Sequence, residues 1–214
     1  MSRGALGLFR SDDERSAVER ARRLGLQAAG LAMLPRPVGL FWWRALRRAQ
    51  AERDTWSIDF ACRPAELRVL LDALADARRV AEIGTAAAWT TSCIALARPD
   101  REVHSWDVEA HPERDRYLAL LAPADRARVH LYDRPGGLGP ADPPPVDAVF
   151  IDSSHELDET VASFRTWEPA LSPGGIVGFH DYADDAYPGV TQAVAELGLA
   201  GEARGHLFVW RKPA

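Results

Sequence analysis

Lysine is almost absent from this sequence: of its 26 basic residues Lys212 alone is a lysine, a bias that we attribute to coding composition rather than to chemistry. Cysteine is scarce as well, and the spacing of Cys62 and Cys93 matches neither a metal-binding motif nor a disulfide framework. The longest uncharged run, residues 83–97, falls short of the ~20 apolar residues that a transmembrane helix needs. The N-terminal residues carry charges where a signal peptide would have an apolar core. These absences predict a cytoplasmic protein without stable membrane insertion.

Charge is distributed unevenly along the chain, although the net value at pH 7 is only −5. Eleven arginines and five acidic residues fall in residues 1–53, so this segment is basic and the remainder is acidic. The acidic main body and the lack of a basic stripe argue against a nucleic-acid partner. The segment V-G-L-F-W-W-R-A-L-R-R at 38–48 could lie on a membrane surface. We favour a lid or a homodimer contact formed by the N-terminal helices.

Short apolar segments alternate with helical patterns from residue 79 onward. Strands are predicted at 79–83, 101–107, 127–132, 146–151, 175–180 and 206–211, and helices at 88–98, 112–121, 156–170 and 189–197. This alternation is typical of an α/β fold with a parallel sheet that helices cover on both faces. The segment S-P-G-G at 172–175 predicts a type II turn, and the prolines at 140–145 predict a surface loop.

Helical patterns at 11–33, 37–51 and 64–77 precede the predicted sheet. Pro64 suits the first position of the third helix, because proline lacks the amide hydrogen that this position leaves unpaired. We therefore divide the chain into an N-terminal helical lid or dimerisation segment, 1–63, and a main domain, 64–214.

Titratable side chains stand at or just after the ends of five predicted strands. They are Glu82, Asp107, Asp133, Asp152 and the pair His180 and Asp181. Ligands of open α/β sheets bind at the carboxyl ends of the parallel strands. A solvated surface would scatter its charges, whereas this pattern collects them at one edge and therefore indicates a site.

The residues after the first strand indicate a nucleoside cofactor. Gly84 permits a tight turn and close backbone approach, and Asp107, 23 residues further on, is well placed to bind ribose hydroxyls. The pattern G-x-G-x-x-G is absent and Glu82 would repel a pyrophosphate, which disfavours a dinucleotide and hence a nicotinamide oxidoreductase. A cofactor with an ammonium and a sulfonium group would be attracted by that charge, which favours S-adenosylmethionine.

Three motifs carry a resemblance to a known family: E-I-G-T at 82–85, D-S-S-H at 152–155 and H-D-Y at 180–182. With L-S-P-G-G-I-V at 171–177, they make residues 79–211 resemble the class I S-adenosylmethionine-dependent methyltransferases, in the branch of small O-methyltransferases. The resemblance implies a Rossmann-like, mostly parallel seven-stranded sheet with an N-terminal helical extension. The chain departs from the family at Ala88, where a second glycine is common, so a methyl group is added near the cofactor.

The resemblance also implies the roles of individual residues. Cofactor binding falls to Glu82, Gly84, Thr85, Ala88, Asp107, Tyr132, Asp133 and Asp152. Glu82 and Gly84 would contact the methionine portion, and either Asp133 or Tyr132 the adenine edge. A divalent cation would be held by Asp152, His180 and Asp181, with His155 and His180 as catalytic residues. The expected reaction is methyl transfer to a hydroxyl of a small metabolite, such as a sugar or a secondary-metabolite alcohol.

Several alternatives remain open from the sequence. Asp152 could cap the helix predicted after it, and His180 could be a structural histidine at a strand end. His155 could be the general base, bind the acceptor or complete the metal shell. Oxygen ligands suit Mg²⁺, whereas a histidine ligand favours Mn²⁺ or another transition metal. A metal-independent methyltransferase and a non-catalytic cofactor-binding relative are the rival functions.

Overall fold

The computed structural model describes residues 30–139 and 145–214. Most of the helix predicted at 11–33, and most of the loop predicted at 140–145, lie outside these residues. Helices occupy α1 (Arg36–Glu52), α2 (Thr55–Asp59), α3 (Pro64–Ala73), α4 (Trp89–Leu96), α5 (Glu113–Leu118), α6 (Pro123–Arg126), α7 (Leu157–Trp167) and α8 (Pro188–Glu196). Strands occupy β1 (Arg79–Ile83), β2 (Glu102–Asp107), β3 (Val129–Asp133), β4 (Val146–Ile151), β5 (Leu171–Phe179), β6 (Gly201–Arg204) and β7 (Leu207–Arg211).

The seven strands form one sheet in the order β3-β2-β1-β4-β5-β7-β6. Strands β1 to β5 pair in parallel, and β7 pairs antiparallel with both β5 and β6. The strand order reverses between β1 and β4, which is the place where open α/β sheets form their ligand crevice. The predicted seven-stranded, mostly parallel sheet is confirmed.

Two apolar layers cover the sheet, one on each face. Helices α1, α3 and α4 pack on one face, where Phe41, Trp42 and Leu67 are buried. Helices α7 and α8 cover the other face around Phe164 and Trp167. The aromatic segment of α1 is therefore split: Trp42 packs edge-on against Trp89 of α4 with ring centroids 5.6 Å apart, whereas Trp43 is half exposed. Within the described ranges, no helix has the length and apolar character that crossing a bilayer requires.

The structure departs from the predicted elements at the last strands. Strand β6 was missed because its sequence, G-E-A-R, is exposed throughout and shows no apolar alternation. Strand β5 begins at Leu171, so the turn predicted at 172–175 lies within the strand. Its glycine has the expected positive φ of 74° at Gly174, and the pairing of β4 with β5 shifts register between Val146 and Ala148. The predicted turn conformation at Gly174 is thus present, but it lies within β5, where the pairing with β4 is irregular.

Candidate active site

The register of the three central strands brings their following residues to one level. Ile83 pairs with Ile151, and Ile151 pairs with Phe179, so β1, β4 and β5 end side by side. Backbone bonds extend the alignment: the Asp152 amide donates to the Ile83 carbonyl at 2.8 Å, and the His180 amide donates to the Ile151 carbonyl at 3.0 Å. Asp152 and His180 are therefore neighbours because the hydrophobic strands before them are in register.

Gly84 lets the backbone turn directly beside Asp152. Its φ is +105°, and a Cβ built on it would lie 1.8 Å from the Asp152 carbonyl oxygen. Its amide donates to the Trp106 carbonyl at 2.8 Å, which ties the turn to β2 as well. The glycine predicted from the sequence is therefore required by the close approach of the backbone to Asp152.

Four titratable side chains converge beyond the ends of β4 and β5. The Nε2 atom of His155 lies 3.3 Å from Asp152 Oδ1 and 3.0 Å from Asp181 Oδ2. The Nδ1 atom of His180 lies 3.1 Å from Asp152 Oδ1 and 3.2 Å from Asp181 Oδ2. One ligand atom from each of the four residues lies within 4.8 Å of the others. The residues predicted as metal ligands and catalytic groups are thus brought together.

The charges in this cluster stabilise one another. Burial by itself would raise the pKa of Asp152, but the two histidines lower it to about 2. Burial would likewise lower the pKa of His155, whereas hydrogen bonds to Asp152 and Asp181 raise it to about 9. His180 behaves in the same way, and its pKa is raised well above the ordinary value. The histidines thus favour the charged form of the carboxylates, and the carboxylates favour the protonated form of the histidines.

Strained backbone conformations concentrate at this edge of the sheet. Non-glycine residues with positive φ include Ala86 (44°), Ala88 (63°), His155 (61°), Asp181 (55°) and Ala183 (58°). Such conformations cost of order 1–3 kcal/mol each and persist where the surrounding structure imposes them, often at ligand sites. His155 and Asp181 are held in this way, so both side chains turn toward Asp152.

The helix-capping alternative for Asp152 finds no support. Helix α7 begins at Leu157 with Glu156 as its N-cap, and no side chain caps it. The contacts that Asp152 makes are with His155 and His180. Asp152 is thus too far upstream to cap the helix, and its charge is matched by the imidazoles instead.

Asp107 and Asp133 end neighbouring strands and face the same side of the sheet. Asp107 Oδ2 accepts hydrogen bonds from the amides of Thr85 and Ala86, at 3.0 and 2.8 Å. Arg114, a buried residue of α5, pairs with Asp133 at 2.5 Å and approaches Asp107 at 3.6 Å. The turn after β1 therefore fixes the orientation of the Asp107 carboxylate, and Arg114 connects it to Asp133.

The pleat of β3 distinguishes the two alternatives for the adenine edge. Tyr132 points to the face opposite Asp133, where its ring stacks on Trp106 with centroids 4.6 Å apart. Its hydroxyl contacts His104 Nδ1 at 2.9 Å. Trp106 is itself buried against Trp167, and its centroid lies 4.6 Å from that ring. Asp133 is therefore the residue of the two that shares a face with Asp107.

Glu82 is fully buried beneath the turn that follows β1. Its Oε2 atom accepts hydrogen bonds of 2.5 Å from Thr91 and Ser105, whereas Oε1 has no hydrogen-bond partner among the described residues. Burial raises its pKa to about 8, with the nearby carboxylates acting in the same direction and the two hydroxyls opposing. At neutral pH, Glu82 is therefore largely protonated in the ligand-free protein.

Replacing Glu82 by glutamine should flatten the pH dependence of stability. The folded protein keeps the Glu82 proton up to about pH 8, whereas the unfolded chain loses it near 4.5. The free energy of unfolding should therefore fall as pH rises through this window, by at most about 1.4 kcal/mol per pH unit for one group. Urea unfolding across the window measures the slope, with Glu102→Gln, an exposed carboxylate of β2, as the control. Equal slopes in wild type and Glu82→Gln would contradict this assignment.

Ala88, the departure from the family pattern, has its methyl group in the core. The residue is fully buried in the apolar cluster beneath α4, and it precedes that helix as its N-cap with φ 63°. The added methyl group is therefore packed among apolar side chains and is not exposed.

The substitution Ala88→Gly should consequently leave the affinity for S-adenosylhomocysteine nearly unchanged. We expect a change below about 1 kcal/mol, or about fivefold. The free energy of unfolding should also change little, because relief of the left-handed strain, about 1–2 kcal/mol, is partly offset by the greater backbone entropy of an unfolded glycine, about 0.5–1 kcal/mol. Calorimetry with both proteins tests the expectation, and a gain of more than tenfold would show that the methyl group does obstruct the cofactor.

Four residues near the site were not predicted: Cys62, Glu66, Arg114 and Tyr187. Cys62 and Glu66 approach His180 from the N-terminal side, and the Tyr187 ring lies 4.4 Å from that of His155. The four-residue spacing of Cys62 and Glu66 across the start of α3 is the local signal that could have drawn attention to them. Arg114 sits in E-R-D-R, where a buried arginine cannot be distinguished from a solvated one.

Comparisons with known proteins agree with this architecture. A family model described as a methyltransferase domain matches residues 81–182. A search of curated protein sequences returns no significant match. One similar solved structure is the O-methyltransferase TomG from Streptomyces achromogenes, which is involved in tomaymycin synthesis and was solved in complex with S-adenosylmethionine. The two proteins are 20% identical with a TM-score of 0.58, and the alignment covers 78% of this chain and 89% of TomG.

Two further structures are similar to the chain. A TDP-rhamnose 3′-O-methyltransferase of calicheamicin biosynthesis is 15% identical with a TM-score of 0.57, covering 92% of this chain and 96% of its own. The methyltransferase MycE of mycinamycin biosynthesis, solved with Mg and S-adenosylhomocysteine, is 15% identical with a TM-score of 0.52, covering 68% and 49%. At such identities the likeness establishes the fold. Residues 81–182 thus match a methyltransferase domain, and the chain has the fold of the class I S-adenosylmethionine-dependent methyltransferases.

Proposed function

We propose that the protein transfers a methyl group from S-adenosylmethionine to a hydroxyl of a small metabolite, with help from a divalent cation. The observation that carries the proposal is the convergence of Asp152, His155, His180 and Asp181 beyond the ends of β4 and β5, next to the place where the strand order reverses. Methyl transfer is an in-line displacement, so the main task of the protein is to place an acceptor oxygen against the sulfonium methyl.

The donor set fits a divalent cation. Two carboxylates and His180 offer three ligand atoms at the ends of β4 and β5, and neither nitrogen of His180 has an aligned hydrogen-bond partner among the described residues. Two oxygen donors suit Mg²⁺, and the imidazole nitrogen favours Mn²⁺ or a related ion. When bound, such an ion would lower the pKa of an acceptor hydroxyl. Asp152, His180 and Asp181 would hold it.

The cofactor would cross the ends of β1, β2 and β3. We assign the ribose hydroxyls to Asp107, whose carboxylate is oriented by two backbone amides. Asp133 would meet the adenine edge, and Arg114 would position both carboxylates. Gly84 and the unpartnered oxygen of Glu82 lie on the side nearest Asp152, where the methionine portion belongs.

His155 is assigned the role of general base. Its Nε2 atom faces the two carboxylates, so a proton taken from the acceptor would be held beside two negative charges. The ring of Tyr187, which is 41% exposed, lies against it and offers an apolar surface to an acceptor ring. The structurally similar enzymes act in secondary-metabolite and sugar chemistry, which supports a hydroxylated acceptor of this class.

Two measurements test the proposal. Calorimetry with S-adenosylhomocysteine should detect binding, and its absence would remove every version of the function. Chelation should abolish turnover and Mg²⁺ or Mn²⁺ should restore it; turnover indifferent to EDTA would leave the metal-independent enzyme, with His155 as base.

The substitution Asp152→Asn separates cofactor binding from cation chemistry. A cation supplies several kcal/mol of barrier reduction, so kcat should fall by about 10²-fold or more. The affinity for S-adenosylhomocysteine should change little. The control Asp158→Asn alters an exposed carboxylate in the first turn of α7 and should retain full activity. Full activity of Asp152→Asn would contradict the assignment of the cation site.

A further inference from the structure

His180 faces a second group of potential ligands on the side away from Asp152. While its Nδ1 atom approaches the two aspartates, its Nε2 atom lies 3.6 Å from Glu66 Oε2 of helix α3. Cys62, just before that helix, joins them: one ligand atom from each of Cys62, Glu66 and His180 lies within 4.8 Å of the others. The N-terminal helices thus contribute two donors beside the end of β5.

The separations are close to those of ligands around one tetrahedral cation. Zinc–nitrogen and zinc–oxygen bonds of about 2.0–2.2 Å and a zinc–sulfur bond of about 2.3 Å imply ligand atoms roughly 3.3–3.8 Å apart. The nitrogen–oxygen distance of 3.6 Å already falls in this range. A contraction of about 1 Å at the widest pair, within the reach of side-chain rotation, would complete the geometry.

Cys62 and His180 are buried and Glu66 is partly buried, and the contacts of Cys62 do not account for its place beside the other two. Cys62 is 3% exposed, and its thiol lies 3.9 Å from the Arg63 carbonyl oxygen, which is a weak contact. His180 is 9% exposed, and its Nε2 atom has no aligned hydrogen-bond partner among the described residues. Glu66 accepts a 3.3 Å hydrogen bond from the Arg63 amide, which explains its place at the helix start. The cap and the ion pair with His180 explain the position of the carboxylate, but neither explains the thiol beside it.

We propose that Cys62, Glu66 and His180 form a second cation site, selective for a thiophilic divalent ion of the Zn²⁺ class. A thiolate, an imidazole and a carboxylate are donors that Zn²⁺ accepts in tetrahedral sites, whereas Mg²⁺ avoids sulfur. Binding forms a metal–sulfur bond and breaks the S–H bond of Cys62, and the proton is released to solvent. Water or a substrate atom completes the fourth position.

The shared histidine makes the two cation sites exclusive. A neutral imidazole has one nitrogen that carries a proton and one that is free to bind a metal. Binding through Nε2 leaves the proton on Nδ1, directed at Asp152 and Asp181, and removes His180 from the site proposed for Mg²⁺ or Mn²⁺. This coupling rests on the proposed function; the thiolate site itself does not. A zinc-class ion should accordingly inhibit cation-dependent methyl transfer.

Cobalt titration of the full chain tests the site without any turnover assay. After chelation under reducing conditions, Co²⁺ should produce a thiolate-to-cobalt charge-transfer band in the near ultraviolet that saturates at one equivalent, and Zn²⁺ should remove it. The substitution Cys62→Ser should abolish the band. The matched control Cys93→Ala changes the other buried cysteine, in α4, and should retain it.

Two more variants separate this site from the methyl-transfer centre. Outer-shell changes already weaken metal binding by about 10–100-fold, so Glu66→Gln should shift the cobalt titration by at least that factor. Asp152→Asn should leave the band in place, so the site can be found even if cofactor binding fails. No band in the wild type, a band that survives in Cys62→Ser, or a band lost in Cys93→Ala with unchanged circular dichroism would overturn the proposal.

Discussion

Replacement of His155 by glutamine should lower kcat by about 10²–10⁴-fold, the usual contribution of a positioned general base. Glutamine keeps a polar side chain of similar length but cannot accept a proton at neutral pH. The affinity for S-adenosylhomocysteine should stay close to the wild-type value, because the residues assigned to the nucleoside lie at the ends of β1, β2 and β3. A loss of kcat with unchanged cofactor affinity is therefore the expected result.

The pH profile gives a stronger test of the same role. A base must be neutral, so kcat should rise with pH until His155 has lost its proton. With both carboxylates free of a cation, the pKa of His155 is about 9, because Asp152 and Asp181 raise it. A bound cation neutralises these carboxylates and removes the cause of the shift, so in the enzyme loaded with Mg²⁺ or Mn²⁺ the rising limb of kcat should lie well below pH 9. In His155→Gln this limb should disappear.

His130→Gln is a suitable control for these measurements. His130 stacks on His104 with ring centroids 4.5 Å apart, on the face of the sheet opposite Asp107. It should keep both kcat and the pH profile. If His155→Gln retains the rising limb, the base is another group; if kcat is unchanged, His155 serves only to orient the acceptor or to hold charge.

The sequence predicted the central edge of the site because local patterns determine it. Apolar segments define where β1, β4 and β5 end, and parallel pairing then places Gly84, Asp152, His180 and Asp181 side by side. His155 follows from its spacing to Asp152, although its left-handed conformation does not. The spacing of residues along the chain is enough to predict which site residues lie together wherever these residues follow buried strands that are in register.

Contacts between distant segments could not be predicted in the same way. Cys62 and Glu66 precede the sheet in the chain, and their approach to His180 depends on how α3 packs against the end of β5. Arg114 is buried by its contacts with Asp133 and Asp107, and the charged sequence of its helix does not predict this burial. Strand β6 depends on pairing with β7 alone, since its side chains are exposed. Long-range packing therefore determines the position of Cys62 and Glu66 beside His180 and the presence of β6 at the edge of the sheet.

Among the substitutions proposed for this protein, Gly84→Ala should cause the largest decrease in the free energy of unfolding. The new Cβ would lie 1.8 Å from the Asp152 carbonyl oxygen and 2.6 Å from its carbonyl carbon, both backbone atoms that no rotamer change can move. Backbone shifts forced by overpacking cost about 1–3 kcal/mol, and the φ of +105° adds strain of similar size for any residue with a Cβ. The sum, about 2–6 kcal/mol, is a large part of the 5–15 kcal/mol that stabilises an ordinary domain.

The control Gly198→Ala separates the clash from the backbone conformation. Gly198 also has a positive φ, 63°, but nothing lies within 4 Å of the position of its Cβ, so it should lose only about 1–2 kcal/mol. Urea unfolding measures both variants, and calorimetry with S-adenosylhomocysteine shows whether any folded Gly84→Ala still binds. Because relief of the clash must separate β1 from Asp152, folded protein should bind the cofactor weakly and lose turnover together with it. Equal losses of stability in the two variants would mean that φ alone is responsible and that the approach of β1 to β4 tolerates a methyl group.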